Sequence, residues 1–412
     1  MEAVYECVRG LDVYSKSVQA CVRRLIGGGR TKQEVRTFGT MTRDLVMLAD
    51  WLSEEGVTHL AMESTGVFWK PIYNILEGRF TVLLVNAHQV KHLPGRKTDV
   101  KDSQWLAQLL QCGLLQGSFI PERAQREWRE LTRQRAQLVN QHSSVINRIH
   151  KTLEDANIKL GTVASNILGA SGRDMLRALI EGRQTPTEMA DLARRKLREK
   201  IPALQEALYG HVTDHHRWLL GELLDQVEDL ERRIERFCRR IEELSGPFED
   251  AIKKVDAIPG FDRRGAENVL AEIGVTMKQF PTGGHLAVWA GICPGNNKTG
   301  GKSKSGRTTK GNRWLRTALV QAAWAASHAK GSYFHAQFRR LVGRRGKKRA
   351  LVAVAHSLLV VIHVLLSTGA EYEDLGADYF DRRDEDRIVR SHVNRLERLG
   401  YKVTLETYEE AA

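Results

Sequence analysis

Three short blocks near the N-terminus carry four carboxylates. Asp12 lies in GLDVYSKS, Glu63 in AMESTG, and Asp99 and Asp102 in KTDVKDSQWLA. Each block is typical of the end of a strand or the start of a helix. Four acids gathered at one place repel each other, so such a cluster is stable only around cations. Carboxylates that hold a divalent metal ion usually serve phosphate chemistry.

The elements around these blocks favour an α/β sheet. Apolar patterns predict strands at 5–12, 16–22, 34–38, 57–62 and 80–85, with helices at 45–52 and 67–76 between them. Asp99 and Asp102 are three residues apart, so on a helix they share one face. A sheet that presents acids from two strands and one helix suits a two-metal nuclease, in which the ions bridge the attacking and leaving oxygens of a phosphodiester.

Composition indicates a soluble, multidomain protein with a polyanionic partner. A chain of 412 residues is too long for one core, and its net charge is +13. Five cysteines are scattered without a C-x-x-C pair, which argues against structural zinc and a disulfide framework and favours a reducing compartment. The start lacks the regions of a signal peptide, so we expect a cytoplasmic, nucleoid-associated protein.

One apolar run, residues 350–368, is almost long enough to span a bilayer. It contains two histidines and follows a basic stretch. We interpret it as a helix buried within a soluble domain, with a membrane helix as the alternative.

The middle of the chain is predicted to be helical. Residues 122–157 carry apolar positions at helical spacing, and a second helix carries an unbroken heptad seam. That seam comprises Leu220, Leu223, Val227, Leu230, Ile234, Phe237, Ile241 and Leu244. We interpret it as a coiled coil used for self-association. The alternative is an amphipathic helix packed on its own domain.

A long basic segment follows. Residues 273–370 contain 16 Lys or Arg and no Asp or Glu, which suits contact with phosphates. Just before it, VDAIPGFDRRGAENVLAEIG resembles a helix-hairpin-helix, whose turn binds a phosphate through backbone N–H groups. An ordinary helical turn is the alternative.

Residues 291–316, GICPGNNKTGGKSKSGRTTKGNRWLR, are rich in glycine, hydroxyls and basic side chains. Glycines let backbone approach a phosphate closely. A hydroxyl here could attack DNA and form a covalent phosphoester that conserves the bond energy for rejoining. The predicted nucleic-acid contacts are Lys302, Lys304, Arg307, Lys310, Arg313 and Arg316.

Several blocks together resemble the DEDD-type insertion-sequence transposases, the family of bridge-RNA-guided recombinases that includes the pilin-gene invertases. They are GLDVYSK, MESTG, NAHQVKHLPGRKTDVKDSQWLAQLL and GICPGNNKTGG…KGNRWLR, and the resemblance runs from about residue 5 to about residue 370. It implies a RuvC-like, RNase H-type N-terminal domain in which Asp12, Glu63, Asp99 and Asp102 hold Mg²⁺. It also implies donor and target DNA, a structured guide RNA, and a homodimer or homotetramer.

The resemblance also indicates where the nucleophile lies. In the family it is a serine of a Ser-Gly or Ser-Ala step after the proline of the loop, and the matching residue here is Thr299. Threonine keeps the oxygen but adds a methyl group that crowds in-line attack. Ser303 and Ser305 follow four and six residues later, and we place Thr299 ahead of Ser305. The alternative is that all three hydroxyls only hydrogen-bond phosphates.

The expected architecture is α/β plus α. It has a metal-dependent domain at 1–118, a helical coiled-coil region at 119–246, a basic, mainly helical transposase domain at 247–370 and a tail at 371–412. The expected function is cutting and rejoining of mobile-element DNA by Mg²⁺ on the four acids and a hydroxyl nucleophile. The two sets of residues are about 200 positions apart, so they must meet through folding or in trans. Two rival functions are a purely hydrolytic Holliday-junction-type nuclease and an inactive RNA-guided DNA-binding protein.

Overall fold

The computed structural model describes residues 4–26, 30–64, 66–86, 90, 102–295, 297–300 and 302–406, and for 297–299 and 303–305 it describes the backbone. The chain divides into two compact units, Met1–Pro121 and Glu122–Ala412. The finer division into a middle region, a transposase domain and a tail stays a prediction.

The first unit is built on a five-stranded mixed sheet. Its strands are β1 Cys7–Val13, β2 Ser17–Ile26, β3 Arg30–Gly39, β4 His59–Glu63 and β5 Thr81–Val85. They lie in the order β3-β2-β1-β4-β5. Strand β2 is antiparallel to both of its neighbours, β1 and β3, and β4 and β5 run parallel to β1. All five predicted strands are present. This mixed α/β unit fits an RNase H-like fold.

Helices cover both faces of the sheet because side chains alternate along each strand. On one face Leu11 and Val13 pack with α1 (Thr42–Glu54) and α2 (Trp69–Leu76). On the other face Val8 and Ala61 pack with α3 (Asp102–Gln111), through its side chains Trp105, Leu106 and Leu109. The central strands are therefore buried on both sides, as parallel pairs usually are.

The second unit is helical. Its helices are α4 Arg123–Asp155, α5 Leu160–Val163, α6 Ala170–Glu181, α7 Pro186–Asp191, α8 Ile201–Ala207, α9 Asp214–Ser245, α10 Glu249–Asp256, α11 Arg263–Ile273, α12 Gly283–Trp289, α13 Arg313–Ala326, α14 Tyr333–Arg345, α15 Lys347–Thr368, α16 Tyr379–Arg383 and α17 Glu385–Arg398. Short 3₁₀ segments span Arg195–Lys200 and Gly246–Phe248. A two-stranded hairpin is formed by β6 (Asn297–Thr299) and β7 (Lys302–Ser305).

Much of the heptad seam of α9 has a partner within its own chain, which favours the alternative of an amphipathic helix packed on its own domain. Its residues Leu220, Leu223, Val227 and Leu230 share one core with apolar side chains of α4. Those α4 side chains are Leu138, Val145, Ile149 and Leu153. A heptad pattern specifies an apolar stripe along a helix, and α4 covers much of that stripe here.

The apolar run predicted at 350–368 forms most of α15. By length and composition α15 is the one helix among the described residues that could cross a membrane. Its inward side is buried and packs on α12, α13 and α14, and Nε2 of His363 lies 2.7 Å from the carbonyl oxygen of Phe280. These contacts are those of a core helix.

The C-terminal tail packs back on α14. The backbone N–H of Tyr333 donates to Asp374 at 2.9 Å, the rings of Tyr333 and Phe380 stack at 5.1 Å, and Arg340 pairs with Asp384 at 2.9 Å. The acidic start of the tail therefore lies against the basic segment, an arrangement that the sequence left open.

Candidate functional sites

Asp12 and Glu63 lie at adjacent positions on neighbouring strands. β1 and β4 pair in parallel with Leu11 opposite Met62, so Asp12 and Glu63 are the next residues of the two strands. Both belong to the face covered by α3, because Gly10 and Ala61, two positions earlier, pack on that helix. Asp102 is the first residue of α3. Two strands and one helix thus supply the three acids, as the sequence predicts.

Gly10 sets the distance between α3 and the sheet. A Cβ at this position would lie 2.0 Å from the carbonyl oxygen of Ser103 and 2.5 Å from the backbone nitrogen of Ala107. The helix backbone therefore rests directly on β1, one turn from Asp102. The sequence analysis missed this residue, although an isolated glycine within a strand often marks such a close approach.

The three described acids share one electrostatic environment. Burial raises the pKa of half-buried Asp12, a hydrogen bond from Tyr14 opposes that shift, and the charge of Asp102 adds to it. The Tyr14 hydroxyl donates to Oδ2 of Asp12 at 2.7 Å. That hydrogen bond and the charges of Asp12, Asp102 and Glu63 raise the pKa of Tyr14 to about 12. Sequence reasoning also missed Tyr14, which lies two residues after Asp12 and directly follows β1.

Asp99, the fourth predicted acid, lies outside the described residues. Among the residues that the structure describes, no three His, Cys, Asp or Glu side chains are grouped closely enough to hold a metal ion. The carboxylates of Asp12, Glu63 and Asp102 nevertheless suit Mg²⁺, since carboxylate oxygens are its usual protein ligands. A bound cation would offset the mutual repulsion that contributes to the raised pKa of Asp12.

The predicted nucleophile region is a β-hairpin rather than a loop. Thr299 ends β6 and pairs with Lys302, and Gly300 follows with φ +56°. Hydrogen bonds between the two short strands fix the backbone on either side of this turn. The side chains of Thr299, Ser303, Lys304 and Ser305 lie outside what the structure describes, so their chemical roles stay predictions.

The base of the hairpin is held together by a close backbone approach at Gly311 and by hydrogen bonds from the Arg316 side chain. A Cβ on Gly311 would lie 2.4 Å from the carbonyl group of Ala290. Nη1 of Arg316 donates to the carbonyl oxygen of Gly291 at 3.3 Å and to the Thr308 hydroxyl at 3.0 Å. Arg316, predicted to contact nucleic acid, therefore links the two chain segments at the base of the hairpin. The predicted contacts Lys302, Arg307, Lys310 and Arg313 are exposed.

The segment predicted as helix-hairpin-helix forms α10, a tight turn and α11. Gly260 in the turn has φ +97°, and a Cβ there would lie 2.4 Å from the carbonyl oxygen of Ala322 on α13. Asp262 caps α11 by accepting a hydrogen bond from the Gly265 N–H at 2.7 Å. The Gly265 N–H at the start of α11 is therefore already hydrogen-bonded within the protein and is not available to a phosphate in this structure.

Two transposase family models match this chain, and together they include residues of both units. A DEDD transposase family of the IS110 type matches residues 9–158, and the IS116/IS110/IS902 transposase family matches residues 252–339. The two matches together cover more than half of the chain. This chain belongs to the IS110-type DEDD transposases. It is accordingly a DNA transposase.

Two curated relatives of this transposase have similar lengths. A Pseudomonas aeruginosa protein, "Probable family 20 transposase", is 28% identical over 75% of this chain and 83% of the relative. The Coxiella burnetii "Transposase for insertion sequence element IS1111A" is 22% identical over 71% of this chain and 72% of the relative. The first family match of the transposase contains all four predicted acids, and the second contains the hairpin with Thr299.

Proposed function

We propose that this transposase cuts and rejoins the DNA of its mobile element with carboxylate-bound Mg²⁺ and a hydroxyl nucleophile. The observation that carries the metal-dependent half is the shared environment of Asp12, Glu63 and Asp102, all of whose charges act on Tyr14. The hydroxyl half rests on the match between this chain and the transposase family around Thr299.

Asp12, Glu63, Asp99 and Asp102 would hold the Mg²⁺. When bound, the ion supplies positive charge that polarises a scissile phosphate and stabilises its leaving oxygen. The protein's own contribution is orientation: Tyr14 fixes Oδ2 of Asp12 by its hydrogen bond, and Gly10 lets α3 bring Asp102 over β1. Burial also raises the pKa of Asp12, and a bound cation would oppose that shift.

The hydroxyl of Thr299 would attack the phosphorus of the scissile phosphodiester. A new bond joins the threonine oxygen to phosphorus, the bond from phosphorus to one DNA oxygen breaks, and the proton lost by threonine is balanced by protonation of that leaving oxygen. A hydroxyl of a second DNA strand later reverses these steps and releases Thr299. Ser305 is the second candidate for this role.

DNA is the substrate, and the acid-free segment 273–370 supplies cations for its phosphates. The resemblance to bridge-RNA-guided recombinases supports a structured guide RNA. It also supports a homodimer or homotetramer as the active assembly. Because α4 covers much of the heptad seam of α9, we expect subunits to associate through other surfaces.

A cleavage and joining assay with purified protein, RNA, element DNA and Mg²⁺ tests this function. We expect Asp12→Asn to abolish cleavage, because it removes one metal ligand. Asp50→Asn is the matched control, since Asp50 is an exposed acid of the same unit that forms a surface ion pair with Arg79; it should keep cleavage. Thr299→Val should abolish strand transfer, and Thr299→Ser should accelerate it.

The rival functions give other outcomes in the same assay. A hydrolytic nuclease would lose cleavage with Asp12→Asn but keep it with Thr299→Val. A catalytically inactive DNA-binding protein would neither nick nor join DNA under any of these conditions, although it would still bind.

A further inference from the structure

A cleft of about 630 Å³ opens in the second unit between α4, α11 and α13. This volume lies within the range of protein sites that enclose small organic ligands. The function proposed above does not use the cleft. One predicted nucleic-acid contact, Arg313, does line it.

The cleft carries excess positive charge. Four arginines and two acids line it, and one of those acids, Asp262, is occupied in capping α11. Arg133 makes two hydrogen bonds to the other acid, Glu272, at 2.6 and 2.8 Å, so their charges offset each other. Arg264 and Arg313 are exposed at the cleft and form no ion pair with the residues described. Two guanidinium groups are thus available for an anion, and phosphate is one of the anions that guanidinium groups recognise.

The walls of the cleft suit a planar apolar group. Trp314 is half-buried there, with the guanidinium of Arg313 4.9 Å and that of Arg133 5.8 Å from its ring centroid. Ala318, Ala322 and Ala325 of α13 form a smooth surface beside it. Aromatic rings and arginine planes are the platforms on which unpaired bases stack.

We propose that this cleft binds one unstacked nucleotide of a nucleic-acid strand. The base stacks on Trp314 beside the alanine surface, and the phosphate lies between Arg264 and Arg313. A fully paired duplex cannot fill the cleft, because its bases already stack on each other. The inference rests on the proposed function in one respect, that the ligand is nucleic acid.

Anisotropy titration of the full chain with labelled hairpin duplexes tests the proposal. One duplex is fully paired and the other has a single bulged nucleotide, and each is made as DNA and as RNA. The wild-type protein should bind at least one bulged form about tenfold tighter than its paired form, the size of effect that one stacked base gives. The nucleic acid that shows the preference identifies the source of the nucleotide.

Variants then assign the preference to the cleft. Trp314→Ala should remove it, Trp314→Phe should keep most of it, and Ala325→Trp, which fills the cleft from an exposed position, should also remove it. Affinity for paired duplex should change little in all three. Circular dichroism checks that each variant is folded.

Equal affinity of the wild-type protein for bulged and paired forms would overturn the proposal. If that equal binding is tight, the proposed transposase function is unaffected. A bulge preference that survives Trp314→Ala and Ala325→Trp would place the nucleotide elsewhere and also overturn it. Absence of binding to any duplex would instead count against the proposed function itself.

Discussion

Asp12 is an acid whose ionised form is costly in the metal-free protein. Its surroundings raise its pKa above the ordinary value, chiefly through burial. The folded protein therefore holds this proton more tightly than the unfolded chain does. Ionisation of Asp12 therefore lowers the free energy of unfolding as pH rises from the ordinary pKa through the raised one.

Asp12→Asn should therefore raise the melting temperature of the metal-free transposase at neutral pH, because the amide removes the buried charge. The gain should shrink as pH falls and Asp12 becomes protonated in the wild type. Millimolar Mg²⁺ should stabilise the wild type and have a much smaller effect on the variant. Thermal unfolding with EDTA or Mg²⁺ measures both effects, with Asp50→Asn as the control. A wild type that Mg²⁺ does not stabilise would contradict the role of Asp12 as a ligand.

Residue types and order predicted which elements carry the acids, but not which neighbouring residues contact or position those elements. Asp12 and Glu63 could be placed because acids at the ends of neighbouring parallel strands come together. Tyr14 and Gly10 could not, since their roles depend on contacts across the sheet and with α3. Arg9 was also missed: it is fully buried in β1, 4.9 Å from the Trp51 ring, and burial lowers its pKa to about 10. A charge inside a strand normally predicts an exposed side chain.

At the scale of elements, the contact between β1 and α3 controls the acidic site. The helix backbone lies so close to Gly10 that even a methyl group has no room. Any side chain there must push α3, and Asp102 with it, away from Asp12.

Gly10→Ala should lower the free energy of unfolding by about 1–3 kcal/mol, as overpacked sites do. It should also reduce stabilisation by Mg²⁺, because Asp102 moves. Gly117→Ala is the matched control, since its Cβ would make only an ordinary contact, 3.5 Å from Leu83. Urea unfolding with and without Mg²⁺ gives both quantities. If the two alanine variants behave alike, Gly10 does not set the position of α3.

The helices illustrate what periodicity can and cannot predict. The heptad repeat of α9 correctly predicted a long helix with one apolar stripe, and α4 of the same chain packs on much of that stripe. The hydrophobic effect has no direction, so a stripe does not identify its partner. The hairpin of β6 and β7 was predicted as a loop, because short strands rich in glycine, lysine and serine carry no strand pattern.

At the scale of the second unit, buried ion pairs join α4 to α11 across the boundary predicted at residue 246. Glu272, 1% exposed, accepts hydrogen bonds from Arg133 and from Asn312, the latter at 2.5 Å. Arg135 pairs with buried Glu267 at 2.6 Å. Arg133 and Arg135 lie more than 100 residues from the acids they pair with, so no local pattern in the sequence reveals these pairs.

Glu272→Gln should lower the free energy of unfolding of this unit by about 3 kcal/mol, because it leaves the partly buried Arg129 and Arg133 without their buried counter-charge. The matched control is Glu127→Gln, which breaks an exposed pair with Arg123 on α4 and should cost less than about 1 kcal/mol. Chemical denaturation of both variants provides the comparison. Equal, small losses would mean that these ion pairs do not hold α4 to α11.

For the whole molecule, the central claim is that this transposase breaks DNA by forming a bond to one of its own hydroxyls. Protein incubated with RNA, element DNA and Mg²⁺ can be denatured, digested and mapped by mass spectrometry for a residue that carries a nucleotide. We expect the adduct on Thr299, and its absence when Asp12→Asn is used. Nicked DNA with no protein adduct would contradict the claim and identify the enzyme as a hydrolytic nuclease.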